Sequence, residues 1–296
     1  MIENKFPGKD VTSDDLKTKF PLCKKKNKNH KTIINIDGLK IGANKNLILF
    51  AGPNMVESYK LMTSISKELL KNKLIFIRGG AFKPLTFPYR SKHYYETREE
   101  GLEFLAYIRK KYKCKIITEI MESKYLDQIE DSVDIIQIGA RNMQNYPFLV
   151  DAAKTNKPIM LKRHFGASLR DLLGAAEYIL NEGNNKLMLC ERGIVAPHTH
   201  SAVSRYLLDI TAIVALKELT HLPVISDPSH ACFNSSWVKS LSLASAAAGA
   251  DGIMIEIHPN PKNAKVDNLQ TLNYKQFRDL LKSLKKIAKT LNKNVI

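Results

Sequence analysis

Cysteine, acidic side chains and long apolar runs are all scarce in this chain of 296 residues. Its four cysteines, Cys23, Cys114, Cys190 and Cys232, lack the paired spacing of a zinc site or a disulfide framework, which excludes both as organising devices. Cys114 and Cys190 fall in or beside apolar runs, so buried structural thiols in a reducing, cytoplasmic setting are expected. No stretch reaches the roughly 18 apolar residues of a membrane span. Met1 to Lys31 is polar and lysine-rich, without the apolar core of a secretory signal, so no membrane association is expected. Aspartate and glutamate number 29 against 46 lysines and arginines, a formal charge of +17. Such an excess suggests nucleic acid. The lysines, however, are spread along the chain and cluster only at Lys24–Lys31 and Lys282–Lys293. The second cluster shares its segment with Leu280, Leu281, Leu284, Ile287, Ala288 and Leu291, an apolar stripe at helical spacing with a solvated basic face. No nucleic-acid partner is expected.

What the chain does have is a repeated short apolar run that ends in polar or charged residues. The eight runs are Leu47–Phe50, Leu74–Ile77, Lys115–Thr118, Val133–Ile138, Pro158–Leu161, Lys186–Cys190, Pro223–Ser226 and Gly252–Ile255. Continuous apolar runs of this length are what parallel strands buried on both faces require. The segments between them are long enough for helices, and several carry helical spacing. Ser168, for example, precedes Leu169, Leu172, Leu173, Ala176 and Ile179, and Gly183 closes that helix. Eight strand–helix units predict an α/β fold, a single (β/α)8 TIM barrel with its active site at the C-terminal ends of the strands. Residues 32–42 alternate around Asp37-Gly38, a hairpin signal that places a cap under the barrel. The expected organisation is a polar N-terminal extension over 1–31, poorly ordered or strand-swapping, and a catalytic barrel over 32–296. Residues 259–272 form the loop after the eighth strand and 274–293 the closing helix. No segment is left over for a regulatory domain.

At the strand ends stand Arg78, Lys83, Arg141, Lys162 and Arg192, with Glu119, His230 and Glu256. Singly, each cation has an ordinary explanation as a rim ion pair. Together they make a mouth so positive that it calls for a phosphorylated, anionic substrate. His230, Glu256 and Asp267 follow the last two strands and form either a divalent-metal site, given a fourth ligand, or a hydrogen-bonded acid–base network. His198 and His200 offer a lesser metal reading, while Tyr89, Tyr94 and Tyr95 read as packing or lid residues.

These segments, taken in order, resemble a known family. They are Ala51-Gly52-Pro53 with Glu57-Ser58, Arg78-Gly79-Gly80-Ala81-Phe82-Lys83-Pro84, Gly139-Ala140-Arg141-Asn142-Met143-Gln144-Asn145 and Leu161-Lys162-Arg163. Cys190-Glu191-Arg192-Gly193, Asp227-Pro228-Ser229-His230-Ala231 and the pair Glu256 and Asp267 complete the set. The chain is similar here to 3-deoxy-D-arabino-heptulosonate 7-phosphate (DAHP) synthase of the short bacterial type, related to 3-deoxy-D-manno-octulosonate 8-phosphate synthase. The resemblance spans about residues 32–275 and implies condensation of phosphoenolpyruvate with a phosphorylated aldose, with release of inorganic phosphate, as the first step of aromatic (shikimate) biosynthesis. It implies that Arg141, Lys162 and Arg192 hold phosphoenolpyruvate, assisted by Arg78, Lys83 and the Ala140 backbone. Lys83 would also protonate the aldehyde oxygen, Glu119 would orient the water that attacks C2, and Thr86 would meet the sugar. A homodimer or homotetramer is implied as well.

Three departures from the family pattern bear on function. Asn54 stands where metal-dependent members carry a ligand cysteine, so no required cofactor is expected, and any divalent metal would be weakly held. His230, Glu256 and Asp267 would then act through hydrogen bonds to aldehyde and water. Leu85 replaces an arginine that grips the acceptor's phosphate, leaving Arg90, Lys92 or Arg163 to substitute, or a different acceptor. Finally, Phe87 to Tyr95 replaces a glycine-rich loop, and the loop after the sixth strand is longer around Pro197–His200. Erythrose 4-phosphate is the expected acceptor. The alternatives are another aldose, as in octulosonate or secondary-metabolite synthesis, a Schiff-base aldolase on Lys162, and a non-catalytic barrel kept for binding.

Overall fold

The computed structural model describes residues 11–82, 96–129, 132–197 and 205–296. Lys83, Leu85, Thr86, Arg90, Lys92, the tyrosines at 89, 94 and 95, His198 and His200 lie outside them. Eight parallel strands form the barrel: β3 (Asn46–Gly52), β4 (Phe76–Arg78), β5 (Lys115–Glu119), β6 (Ile135–Ile138), β7 (Ile159–Lys162), β8 (Leu187–Glu191), β9 (Val224–Ser226) and β10 (Gly252–Glu256). Each pairs with the next, and β10 closes on β3 in the register Gly252↔Ile48 to Glu256↔Gly52. Before them, β1 (Ile34–Ile36) and β2 (Leu39–Ile41) make the antiparallel hairpin.

Side-chain parity sorts every strand into two populations. Ile48, Phe50, Phe76, Ile117, Ile135, Met160, Met188, Cys190, Ile225 and Met254 point into the lumen and form one apolar cluster. Ile34, Ile36 and Ile41 of the hairpin join that cluster, so the hairpin seals the base of the barrel. The intervening residues, such as Leu49, Ile77, Ile116, Leu161, Leu189 and Ile253, face the helices in a second, larger cluster. The next inward position toward the strand ends is polar: Arg78, Glu119, Gln137, Lys162 and Glu256 on their strands, with Asn54, Arg192 and Asp227 just beyond. The lumen is thus greasy below and charged above.

The outer layer is made of α2 (Tyr59–Lys71), α3 (Arg98–Tyr112), α4 (Tyr146–Lys154), α5 (Leu169–Asn181), α6 (Ile210–Leu219), α8 (Ser235–Ala247) and α9 (Tyr274–Thr290), with a short α7 (Pro228–Ala231) directly after β9. Ser168 caps α5 in a capping box with Asp171. Between β5 and β6 the helix is a 3-10 turn, Ser123–Ile129, which buries Tyr125, Leu126 and Ile129. In α9 the apolar stripe packs inward through Phe277, Leu280, Leu281, Leu284 and Ala288.

Two features depart from the sequence reading. Residues 11–31 do not stand apart from the barrel: α1 (Ser13–Thr18) carries its own capping box, Phe20 and Cys23 are buried in the outer core, and Lys24 bridges to Thr220. The chain also continues past α9 into β11 (Asn294–Val295), which pairs in parallel with the lower half of β3. All four cysteines are free and buried, and burial pushes the Cys114 thiol up to about 12. Among the described residues no helix is long and apolar enough to cross a membrane. Truncating the seal, Ile41→Ala, is expected to cost about 2–5 kcal/mol in urea unfolding; a loss below ~1 kcal/mol would mean that the hairpin does not complete the core.

Candidate active site

The C-terminal ends of the strands frame an open cleft lined by Glu119, Gln137, Ala140, Arg141, Lys162, Phe165, Arg192, Arg205, Tyr206, His230 and Asp267, among others. Beneath it lies a continuous chain of buried charge. Lys162 Nζ donates to Asp227 Oδ2 at 2.5 Å, and the same oxygen meets His230 Nδ1 at 2.8 Å. His230 Nε2 stands 3.1 Å from Glu256 Oε1, which also accepts from Arg78 Nη1 at 2.8 Å. Burial opposes ionisation of Asp227, but His230, Lys162 and Arg78 outweigh it and hold the carboxyl well below the usual range. Asp227 also caps α7 by accepting from the His230 amide, which fixes the imidazole relative to its strand.

Local backbone pairing positions the remaining groups. A parallel bridge between Met55 and Gly80 extends the β3–β4 ladder past its ends and sets Asn54 against Arg78, whose Nη2 donates to Asn54 Oδ1 at 3.1 Å. A second bridge, Ile257 to Leu272, folds the loop after β10 back over the mouth and brings Asp267 down beside Asn54, whose amide nitrogen donates to it. A third, Ile194 to Leu207, closes the segment after β8 and delivers Arg205 and Tyr206 to the rim. Tyr206 stacks on Phe165, and the Arg192 guanidinium lies 4.5 Å over the Tyr206 ring. Arg192 is 6% exposed, and its Nη1 has no hydrogen-bond partner among the described residues; the same holds for Arg78 Nε. Buried guanidinium donors left open in this way are suited to an anion.

Glu119 approaches the β6 end closely, where Gln137 Nε2 donates to its Oε2 at 3.1 Å. Gly139 makes room for it: a Cβ there would stand 1.8 Å from Glu119 Oε1. Arg163 does not reach the cleft. It is bound to Glu191 at 2.9 Å, Asp209 at 3.1 Å and the Ala167 carbonyl, so it is spoken for as a replacement for the arginine absent at Leu85. Burial raises the Glu191 carboxyl against the pull of Arg163.

Of the groups the sequence pointed to, Glu119, Arg141, Lys162, Arg192, His230, Asp267 and Ala140 line the cleft, while Arg78, Glu256 and Asn54 connect beneath it. Sequence reading assigned no role to Gln137, Phe165, Arg205, Tyr206 or Asp227. Gln137 carried a usable signal as the polar break in Ile135-Ile136-Gln137-Ile138; Arg205 carried none.

His230, Glu256 and Asp267 present ligand atoms within 4.8 Å of one another, so the triad has the dimensions of a metal site. Its fourth neighbour is Asn54, with the amide nitrogen toward Asp267 and the oxygen taken by Arg78. One imidazole and two carboxylates make an oxygen-rich set without the thiolate that recruits softer borderline ions, and a guanidinium already stands on the Glu256 oxygen.

Fold and site together define a barrel enzyme that gathers anionic substrates at its strand ends. The chain belongs to the DAHP synthetase I family, which it matches over residues 24–293. It is 36% identical, over its whole length and 86% of the relative's, to phospho-2-dehydro-3-deoxyheptonate aldolase of Thermotoga maritima. The crystal structure of that DAHP synthase superposes with a TM-score of 0.86 at 37% identity, covering 93% of this chain and 78% of the other. The 2-dehydro-3-deoxyphosphooctonate aldolase of Desulfotalea psychrophila is 29% identical over 83% of this chain and 91% of its own. Gly139→Ala tests the close approach. The clash meets the mobile end of a side chain, so the thermal midpoint should barely change, while turnover falls about 100-fold as Glu119 is displaced. Unchanged turnover would remove Glu119 from the chemistry.

Proposed function

We propose that this enzyme condenses phosphoenolpyruvate with erythrose 4-phosphate and does so without a tightly bound metal. C3 of phosphoenolpyruvate attacks the aldehyde carbon, water adds to C2, and the bond from C2 to the bridging oxygen breaks to release inorganic phosphate. The observation that carries this reading is the open, buried Nη1 of Arg192 beside Lys162 and Arg141 in one cleft. Those three cations hold the donor, with Arg78 and the Ala140 backbone assisting. Glu119 orients the attacking water and stabilises cationic character developing at C2. Lys83 protonates the new alkoxide, and Thr86 meets the sugar.

His230, Asp267 and Asn54 supply hydrogen bonds to the aldehyde and water in the place where a metal would act. With Asn54 in the fourth position and guanidinium groups on Glu256 and Asp267, these hydrogen bonds take the place of a tightly held ion. Lys162 is paired with Asp227, which supports a role as a fixed cation rather than as a Schiff-base amine. Identity is higher to the heptonate relative than to the octonate one, which favours the four-carbon acceptor. An assembly of two or four chains in the cytoplasm completes the reading.

Phosphate release from phosphoenolpyruvate in the presence of chelator tests it, with erythrose 4-phosphate, arabinose 5-phosphate and ribose 5-phosphate supplied in turn. Turnover with erythrose 4-phosphate alone is expected. Manganese stimulation that chelator abolishes would sink the metal-independent part, and turnover with another aldose only would move the acceptor. Arg192→Ala should raise KM for phosphoenolpyruvate by about 10- to 100-fold, the worth of one charged hydrogen bond. Borohydride with substrate should trap no adduct on Lys162.

A further inference from the structure

Every carboxylate oxygen of the triad faces a donor from the chain itself. Glu256 Oε1 takes Arg78 and His230, and its Oε2 accepts from Gln270 Nε2 at 3.1 Å. Asp267 Oδ2 accepts from the Asn54 amide, and Oδ1 accepts from Arg205 Nη1 at 3.4 Å. Two guanidinium charges therefore stand against two carboxylates at the position where the family fold allows a divalent ion.

Arg205 differs from the other donors. Arg78 is buried and bonded to both Glu256 and Asn54, whereas Arg205 comes from the rim segment after β8 and is partly exposed. Its guanidinium lies 5.1 Å from the Phe233 ring and 5.4 Å from the Tyr206 ring, which fix its plane beside Asp267. Asp267 is itself held in a left-handed backbone conformation, φ 54°, with Thr271 Oγ1 donating to its carbonyl at 2.8 Å. The carboxylate is thus presented from a fixed turn to a fixed cation.

We propose that Arg205 is a positioning residue that serves as the built-in counter-ion of Asp267 and excludes divalent cations from the His230–Glu256–Asp267 triad. An ion seated on Asp267 would share the carboxylate with the guanidinium, and two cations on one carboxylate repel strongly away from bulk water. The ion must therefore compete with Arg205 for the charge of Asp267. This inference rests on the metal-independent reading above and assigns part of its cause to a residue remote in sequence from the triad.

Manganese titration followed by the electron paramagnetic resonance signal of free Mn²⁺ tests it on the full chain. Wild type, Arg205→Met and Arg205→Lys are compared, with thermal unfolding of each to establish the fold. Arg205→Met should bind Mn²⁺ about tenfold or more tighter than wild type. Arg205→Lys, which keeps the charge and loses the flat ring contacts, should stay near wild type. Loss of the gain in the double variant Arg205→Met/His230→Ala places the ion at the triad. Three results overturn the inference: no gain in Arg205→Met, an equal gain in Arg205→Lys, or a gain that survives removal of His230. Tight binding by wild type, with turnover that depends on it, would overturn the metal-independent reading as well.

Discussion

Asp227 is the hub of this site. Fully buried, it neutralises Lys162 from one wall of the barrel and orients His230 on another, and through His230 it connects to Glu256 and Arg78. Any one of these charges would be costly to bury alone. Laid out with alternating sign, cation to anion across the lumen, they are tolerated together and each fixes the next. The arrangement also sets how much positive charge remains for a substrate. Arg78 and Lys162 are largely balanced from below, whereas the buried Nη1 of Arg192 has no hydrogen-bond partner among the described residues.

The lower barrel could be read from hydrophobicity because its inward and outward residues are both apolar, as parallel strands buried on two faces require. The eight apolar runs all became strands, but several strands extend one residue further than the run. Arg78, Glu119, Lys162, Glu191 and Glu256 end their strands although they are charged. Backbone pairing with neighbours continues there regardless of side chain, so a reading that stops at the last apolar residue stops short of the functional layer. The 3-10 turn between β5 and β6, the strand β11 and the docking of residues 11–31 were not legible in the same way. Each depends on tertiary fit: Phe20 and Cys23 look like isolated apolar residues in a polar segment until the surface of α5 is set beside them.

The site divides by the same logic. Arg78, Glu119, Lys162 and Glu256, each one position past an apolar run, were found from the sequence, since the barrel fixes both their direction and their height; Asp227 holds the same position after its run and was missed. Arg163 shows the limit of that rule: one residue beyond Lys162, it has the opposite parity and is spent on Glu191 and Asp209, outside the cleft. Gln137 has the inward parity but sits inside its run, and it was passed over because it is uncharged. Arg205 and Tyr206 come from a segment whose path is set by the Ile194–Leu207 bridge, a contact that no local pattern announces.

That division has a consequence for specificity. The groups proposed to hold phosphoenolpyruvate stand on or next to barrel strands, where a substitution must satisfy the packing of the lumen, the parity of the strand and the charge balance through Asp227 at once. Groups assigned to the acceptor, Lys83 and Thr86 with Leu85 between them, fall in sequence between β4 and α3, outside the described residues. Losing Lys162 would leave Asp227 facing His230 without its strand-end cation. Asn54 is tied into the same charged layer: its two amide atoms serve Arg78 and Asp267 together, bridging the end of β4 to the loop after β10.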